Sequence, residues 1–364
     1  MTPPPPAVLE LSGITKRFGE VAANRAIDWS LDAGRIYALL GENGAGKSTL
    51  MSILAGRYQP DAGTIRRQGR TVRFQSPAQA LAAGIGMVYQ RFMLVAPLSV
   101  AENIRLHGPA GRSRGDRKDV SIRALAARYG LAVDPDALVQ DLSMGERQRV
   151  EILKLLTRRA EVLIFDEPTA VLTHAEIDGL FEVFQRLRDE GKTIVFITHK
   201  LEEVMTVADE IAVMRRGRMV ARLAAADVRS QHDLARLMVG REIILNVDKP
   251  PAALGETILS VSGLSGPAGN IRPRFEAIDF KVRRGEILAI VGVAGNGQED
   301  LVAGLAGLAP LQAGRLTFKG RPFSAPQWGR KPRDGLAYIP ADRDRTASVG
   351  ALSLVDNFML TRLA

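Results

Sequence analysis

The sequence contains no cysteine among its 364 residues. Disulfide frameworks, thiolate zinc sites and cysteine nucleophiles are therefore excluded. Aromatic residues make up only 5% of the chain, which disfavours a surface that stacks nucleic-acid bases. No apolar run approaches the roughly 18 residues that a membrane-spanning helix needs. The start of the chain is proline-rich and lacks the basic and apolar regions of a signal peptide, so residues 1–7 are predicted to form a disordered tail.

Charge of either sign is moderate, with 49 Lys and Arg against 40 Asp and Glu, a net charge of +9. Hydrophobic residues make up 46% of the chain, which is typical of a folded protein and excludes wholesale disorder. An excess of this size fits an ordinary basic surface. It also leaves open a nucleic-acid partner or an anionic membrane surface.

The chain contains an internal repeat. Residues 27–70 and 278–321 align without a gap at an offset of 251, and about 16 of the 44 pairs are identical. Similarity of this length predicts two copies of one domain. We place the first copy at 8–242, a linker at 243–256 and the N-terminal half of the second copy at 257–364.

The hydrophobic pattern predicts an α/β fold. Short apolar runs at 35–40, 162–165 and 193–198 are typical of strands buried on both faces. Helical periodicity covers 48–57 and 175–190. The order strand, helix, strand over 162–198 predicts parallel pairing of its two strands.

A region richer in charge separates the first strand from the second. Residues from about 91 to 160 are predicted to form a helical subdomain. Within it, the run Gly111–Lys118 is predicted to be a solvated loop.

A phosphate-binding loop follows the first predicted strand. Its nine residues match G-x-x-x-x-G-K-[ST] between a strand and a helix: Gly41, Glu42, Asn43, Gly44, Ala45, Gly46, Lys47, Ser48 and Thr49. Glycines let the backbone amides point at phosphate oxygens, and the helix start adds its positive end. We expect Lys47 to reach the β- and γ-phosphates of ATP and the Ser48 hydroxyl to ligate Mg²⁺.

Two carboxylates end the strand predicted at 162–165. Asp166 is placed to hold Mg²⁺, through a water molecule, and Glu167 to polarise the attacking water. An Asp-Glu pair after a strand also serves as a helix cap. Its position about 120 residues after a phosphate loop favours the catalytic interpretation.

The segment Leu142–Gln148 matches the motif of a known protein family. It resembles the signature of ATP-binding-cassette (ABC) ATPases, usually LSGGQ, with departures at Met144 and Glu146. The family implies a P-loop NTPase fold, with a RecA-like core and a helical subdomain, and ATP and Mg²⁺ as ligands. Ser143 and the amide of Gly145 lie at a predicted helix start and can bind a γ-phosphate. In this family that phosphate belongs to the opposite domain's nucleotide.

Other family positions also match. The resemblance implies that Gln90 is the loop glutamine that senses Mg²⁺ and faces the membrane partner. It implies that His199 is the switch histidine that contacts the γ-phosphate, and that Glu167, His199, Gln90 and Lys47 together form the catalytic set. Phe18 matches the aromatic residue that stacks on adenine, with core packing as the alternative. Residues 169–173 match the loop that crosses the dimer interface.

The second copy departs from the pattern at the phosphate loop. Gln298 stands in place of the lysine and Glu299 in place of the serine, so phosphate charge is not neutralised. Tyr338–Arg343 stands where the first copy has Tyr89 and Gln90. We expect this degenerate site to bind nucleotide weakly.

These departures resemble tandem-cassette importer ATPases for simple sugars and nucleosides, the group associated with basic-membrane-protein-type receptors. The resemblance implies a peripheral protein at the cytoplasmic face of the membrane, with transmembrane permease subunits as direct partners. A periplasmic or lipoprotein substrate receptor is an indirect partner, and no nucleic acid is expected. Two alternatives are a tandem cassette acting on ribosomes and a non-catalytic truncated remnant.

The length of the second copy has a consequence for the mechanism. Its signature, carboxylate pair and switch histidine would lie beyond residue 364. We therefore expect the chain to bind MgATP and to turn over poorly unless two copies of the first domain pair between chains.

Overall fold

The computed structural model describes residues 7–90, 92–106, 117–170, 172–240, 252–266, 275–292, 296–322, 336–340 and 347–360. The chain divides into two compact units, Met1–Val247 and Asp248–Ala364.

Strands of the first unit form two sheets. In chain order, those in the described part are β1 (Leu9–Phe18), β2 (Val21–Leu31), β3 (Ile36–Leu40), β4 (Ala62–Arg67), β5 (Arg70–Val72), β6 (Ile85–Val88), β7 (Val162–Asp166), β8 (Thr193–Ile197), β9 (Glu210–Arg215) and β10 (Arg218–Ala224). An antiparallel sheet has the order β2-β1-β4-β5, and a second sheet has the order β10-β9-β3-β8-β7-β6.

The six-stranded sheet is parallel except for its β9–β10 hairpin. Strands β7 and β8 pair in parallel, as the sequence predicts, with Val162 opposite Thr193. All five residues of β3 are buried. Ile36, Ala38 and Leu40 face one apolar core, whereas Tyr37 and Leu39 face another, shared with the antiparallel sheet. The α/β fold is confirmed.

Helices cover the sheet and form the region between β6 and β7. Those described in the first unit are α1 (Lys47–Leu54), α2 (Pro77–Ala82), α3 (Val100–Leu106), α4 (Arg117–Tyr129), α5 (Met144–Thr157), α6 (His174–Asp189), α7 (Leu201–Val207) and α8 (Gln231–Val239). Helices α5 and α6 each begin with a capping box, formed by Ser143 with Glu146 and by Thr173 with Glu176.

Two predicted boundaries are wrong. Helix α1 ends at Leu54 rather than at Arg57, because Gly56 takes the left-handed φ of +73° that stops a helix. Residues 111–116 of the predicted solvated loop lie outside the described residues, and its last two residues begin α4. That helix is anchored on the core by Ile122, Ala126 and Tyr129, which explains why it extends into a charged segment.

The second unit is smaller. Its described elements are β11 (Thr257–Ser265), β12 (Ile278–Arg283), α9 (Gln298–Leu305), β13 (Ala313–Phe318), β14 (Arg321–Pro322) and α10 (Leu354–Leu360). Its sheet order, β12-β11-β13-β14, repeats that of the first unit's antiparallel sheet. A small core contains Val261, Leu264, Phe275, Leu301 and Leu316.

Candidate active site

The phosphate loop, residues 41–49, joins the end of central strand β3 to the start of α1. Gly46 adopts a φ of +99°, and a Cβ atom there would collide with the carbonyl oxygen of Ala23. The buried Asn24 donates a hydrogen bond of 3.1 Å from Nδ2 to the Gly46 carbonyl. Only glycine fits this approach of two backbones, so the conformation of the loop is imposed from strand β2.

Lys47 is buried at the first position of α1. Its Nζ donates hydrogen bonds to the carbonyl oxygens of Gly41, at 2.7 Å, and Glu42, at 3.0 Å. Burial lowers the pKa of Lys47, and the carboxylates of Glu167 and Asp166 act in the opposite direction. The ammonium therefore rests on neutral carbonyls that it can leave for phosphate oxygens, which are stronger partners.

Ser48 and Asp166 come from distant parts of the chain and meet beside the loop. The Ser48 hydroxyl donates a hydrogen bond of 3.3 Å to Oδ1 of Asp166, at the end of β7. Burial raises the pKa of Asp166, whereas the hydrogen bond from Ser48 lowers it. A cation between these two oxygens would favour the ionised carboxylate.

Glu167 gathers two other predicted residues around its carboxylate. Nε2 of Gln90 donates a hydrogen bond of 3.2 Å to Oε2, and Nδ1 of His199 lies 3.4 Å from Oε1. The backbone of Glu167 has a left-handed φ of +48°, which costs a non-glycine residue roughly 1–3 kcal/mol. Its amide donates a hydrogen bond of 3.0 Å to the Ile197 carbonyl on neighbouring strand β8. The fold therefore holds the backbone of Glu167 in an unfavourable conformation, at the carboxyl end of the parallel strands.

Ser143 and Gly145 lie at the start of α5. The Ser143 oxygen accepts a hydrogen bond from the amide of Glu146, whose carboxylate accepts one of 2.9 Å from the Ser143 amide. The hydrogen bond from the Ser143 amide to the carboxylate lowers the pKa of Glu146. Gly145 is packed so closely on Glu176 that a Cβ would collide with its carboxylate. The contacts described for Ser143 and Gly145 are with the start of α5 and with α6, and not with the phosphate loop.

Phe18 ends strand β1 with 45% of its surface exposed. Its ring packs edge-on against Tyr58, with centroids 5.2 Å apart, and Nζ of Lys16 lies 5.6 Å from its centroid. The ring is therefore braced by neighbours yet keeps open surface on which a flat group can stack.

Comparison with known proteins shows the family to which the chain belongs. The ABC transporter family model matches residues 25–170 and 275–353. The chain belongs to the ABC transporter family. It is an ATP-binding protein of the ABC ATPase class.

Named relatives in the ABC family are similar over most of the chain. The glucose import ATP-binding protein TsgD13 of Haloferax volcanii is 43% identical over 96% of this chain and 69% of its own length. The nucleoside import ATP-binding protein NupA of Lactococcus lactis is 40% identical over 97% of this chain and 70% of its own length. The ribose import ATP-binding protein RbsA 1 of Rubrobacter xylanophilus is 42% identical over 98% and 70%.

Solved structures of ABC cassettes share the fold. The ADP conformation of the cassette MJ1267 matches with a TM-score of 0.58 and 23% identity, over 65% of this chain and 99% of that one. CbiO1 from Clostridium perfringens matches with a TM-score of 0.57 and 25% identity, over 65% and 96%. No helix in the described ranges is both long and apolar enough to cross a membrane.

Sequence reasoning missed two charged residues of α5 that contact the segment after Gln90. Glu151 and Lys154 of α5 form a buried ion pair of 3.0 Å. The Glu151 carboxylate accepts a hydrogen bond of 2.6 Å from the Met93 amide, and Lys154 donates one of 2.9 Å to the Met93 carbonyl. The pair thus connects the segment after Gln90 to helix α5. Its sequence signal is a charged i, i+3 pair within an apolar helical pattern.

Proposed function

We propose that this protein is the ATP-binding subunit of an importer and couples ATP hydrolysis to the uptake of a nucleoside or simple sugar through a partner permease. The observation that carries the proposal is the convergence of Lys47, Ser48 and Asp166 with the group formed by Glu167, Gln90 and His199. The names of the similar proteins support the substrate classes.

Each residue of the site has a distinct role in phosphoryl transfer. Lys47 and the amides of the phosphate loop bind the β- and γ-phosphates, and Phe18 stacks on the base. Glu167 orients the attacking water and accepts its proton as the water oxygen bonds to the γ-phosphorus and the bond to ADP breaks. His199 contacts the γ-phosphate and, with Gln90, holds the Glu167 carboxylate in place.

A magnesium ion fits the donor set beside the loop. Ser48 and Asp166 present oxygen atoms 3.3 Å apart, and the Gln90 side chain lies against the adjacent Glu167. Within the described residues no group of three or more His, Asp or Glu forms a metal cluster. The Ser48 hydroxyl and the Asp166 carboxylate fit Mg²⁺, which is commonly held by one or two carboxylates together with substrate phosphates. When bound, the ion would neutralise charge that develops on the phosphates.

The helical region between β6 and β7 is proposed to contact the permease. The Glu151–Lys154 pair ties the segment after Gln90 to α5, so a change at Glu167 can reach a surface outside the site. This role places the protein at the cytoplasmic face of the membrane. A substrate receptor interacts only through the permease, and no nucleic acid takes part.

We place the first cassette at 8–242 and a degenerate copy at 257–364, with a linker between them. Ser143 and Gly145 then act on a nucleotide held by another cassette, in cis or in trans. The neutral Gln298 makes the second phosphate loop a weak binder.

The proposal is tested by measuring MgATP hydrolysis over a range of protein concentrations, beside the variant Glu167→Gln. Turnover per chain is expected to rise with concentration because a second signature completes the site. Glu167→Gln should keep ATP binding and lose about a hundredfold or more in turnover. Hydrolysis that is equally fast in the variant would contradict the role of Glu167.

A further inference from the structure

Glu203 is a buried carboxylate that the chemistry described above does not use. It lies in the first turn of α7, and the residue is only 6% exposed. Ionisable side chains are almost never buried without partners. The partners of Glu203 therefore indicate what the residue does.

Those partners come from two loops at the carboxyl edge of the parallel sheet. Oε2 of Glu203 accepts hydrogen bonds from the hydroxyls of Thr169, at 2.8 Å, and Thr198, at 2.9 Å. Both threonines are 2% exposed. Nζ of Lys200 lies 3.0 Å from Oε1 of Glu203 and donates a hydrogen bond of 3.0 Å to the Thr169 carbonyl.

The two loops carry the residues that meet at the catalytic carboxylate. Thr169 follows Glu167 by two residues, and Thr198 directly precedes His199. A single carboxylate oxygen thus bridges the loop after β7 and the loop after β8, next to the 3.4 Å approach of His199 to Glu167. Because Glu167 has a left-handed backbone, its conformation depends on such support from its surroundings.

We infer that Glu203 is a positioning residue for ATP hydrolysis, which sets the placement of Glu167 relative to His199 through Thr169 and Thr198. Charge-assisted hydrogen bonds in a buried site are stronger than neutral ones. The contact with Lys200 contributes less to this placement, because that side chain is 39% exposed. The inference rests on the proposed roles of Glu167 and His199.

The test compares Glu203→Gln, Thr198→Val and Thr198→Ser with the control Thr206→Val. Thr206 is an exposed residue on the same helix, and its hydroxyl donates only to the Glu202 carbonyl among the bonds described. In Thr198→Val the hydroxyl is lost with little change of shape, whereas Thr198→Ser keeps it. Melting temperatures establish that each variant is folded, and the Thr198 pair carries the test if Glu203→Gln does not fold.

For the full chain with MgATP, we expect Glu203→Gln and Thr198→Val to lower kcat by about tenfold or more, since small misplacements of reacting groups cost at least that. The KM for MgATP should stay within about twofold, because neither residue touches the phosphate loop in the contacts described. Thr198→Ser should recover most of the rate. A merely structural role would not separate kcat from KM or respond to the hydroxyl.

A second readout needs no turnover. The chain has four histidines, so the ring signal of His199 is resolvable by NMR in the nucleotide-free protein. That signal should move in Thr198→Val and Glu203→Gln and stay in place in Thr206→Val. An unchanged signal together with an unchanged kcat would overturn the inference. Loss of activity in Glu167→Gln alone would reject the role of Glu203 and keep the proposed function, whereas full activity of Glu167→Gln would reject the proposed function itself.

Discussion

Helix α1 spans Lys47–Leu54 in the first unit, and helix α9 spans Gln298–Leu305 in the second, at the repeat offset of 251 residues. Strands β4 and β13 keep the same offset. The glycine that precedes each helix is left-handed, with a φ of +99° at Gly46 and +91° at Gly297. The two copies therefore share the conformation of this helix, including the left-handed glycine at its N-cap.

The surroundings of the two copies differ. Leu40, at the end of β3, is fully buried between parallel strands β8 and β9. Its counterpart Val291 is 91% exposed, in a stretch that forms no strand within 286–292. The same apolar pattern thus forms a central strand only where parallel neighbours supply hydrogen bonds and cover both faces. Local conformation is repeated, whereas burial is not.

The difference in burial predicts the largest effect. Leu40→Ala should lower the free energy of unfolding of the first unit by about 2–5 kcal/mol, because it leaves a cavity in a close-packed core. Val291→Ala should change the free energy of unfolding by less than about 0.5 kcal/mol, because its side chain is exposed. Urea unfolding of both variants measures the contrast. Equal losses in the two variants would show that Val291 is buried in solution.

The difference in the phosphate loop predicts the next effect. Lys47→Gln places in the first loop the residue that the second loop has, and removes the only ammonium held over its carbonyls in the bonds described. ATP hydrolysis should fall by about a hundredfold or more, equivalent to roughly 3 kcal/mol of transition-state stabilisation. The matched control is Lys281→Gln, at an exposed lysine of the second unit, which should retain the parent rate. Activity of Lys47→Gln within about threefold of the parent would contradict the proposed role.

The smallest expected effect is a change in the free energy of unfolding of the first unit when Asp166 is replaced. Burial raises the pKa of Asp166 in the folded chain. The stability that this carboxyl group contributes is therefore fully present below its pKa in the unfolded chain, and it is lost as pH rises through its pKa in the folded chain. Asp166→Asn should therefore raise the stability of the nucleotide-free first unit at pH 7, by less than about 1 kcal/mol after solvent screening. Melting curves between pH 4 and 8 should show the gain shrinking as pH falls. A variant less stable than its parent at pH 7 would refute this.

Much of the site was predictable because its residues follow strands. Lys47 and His199 follow strands β3 and β8, and Asp166 is the last residue of β7; the carboxyl ends of these parallel strands meet at one edge of the sheet. Glu203 was not predictable in this way. In the sequence it is an ordinary acidic residue in the first turn of a helix, where the helix dipole favours negative charge. Its contact with Thr169 joins residues 34 positions apart, so only the fold shows it.

Two helix boundaries also separate what the local sequence predicts from what only the fold shows. The start of α1 at Lys47 follows from the glycine loop, but its end at Leu54 depends on Gly56, which packs against the backbone of Ser76. The start of α4 could not be read from its charged residues, because burial of Ile122 and Ala126 against the core stabilises that helix. Packing decided the start of α4, whereas the end of α1 combines the left-handed conformation of Gly56 with its close packing against Ser76.

By itself, the sequence determined the phosphate loop, the Asp166–Glu167 pair at the end of β7, the order strand, helix, strand over 162–198, and the repeat of α1 in α9. These features depend on neighbouring residues, whose steric and capping preferences act over a few positions. Tertiary structure alone decided that β3 is a buried strand while residues 287–291 are not, and that Glu203 joins two loops. Both outcomes depend on partners from distant parts of the chain, since a parallel strand needs neighbours and a buried carboxylate needs donors.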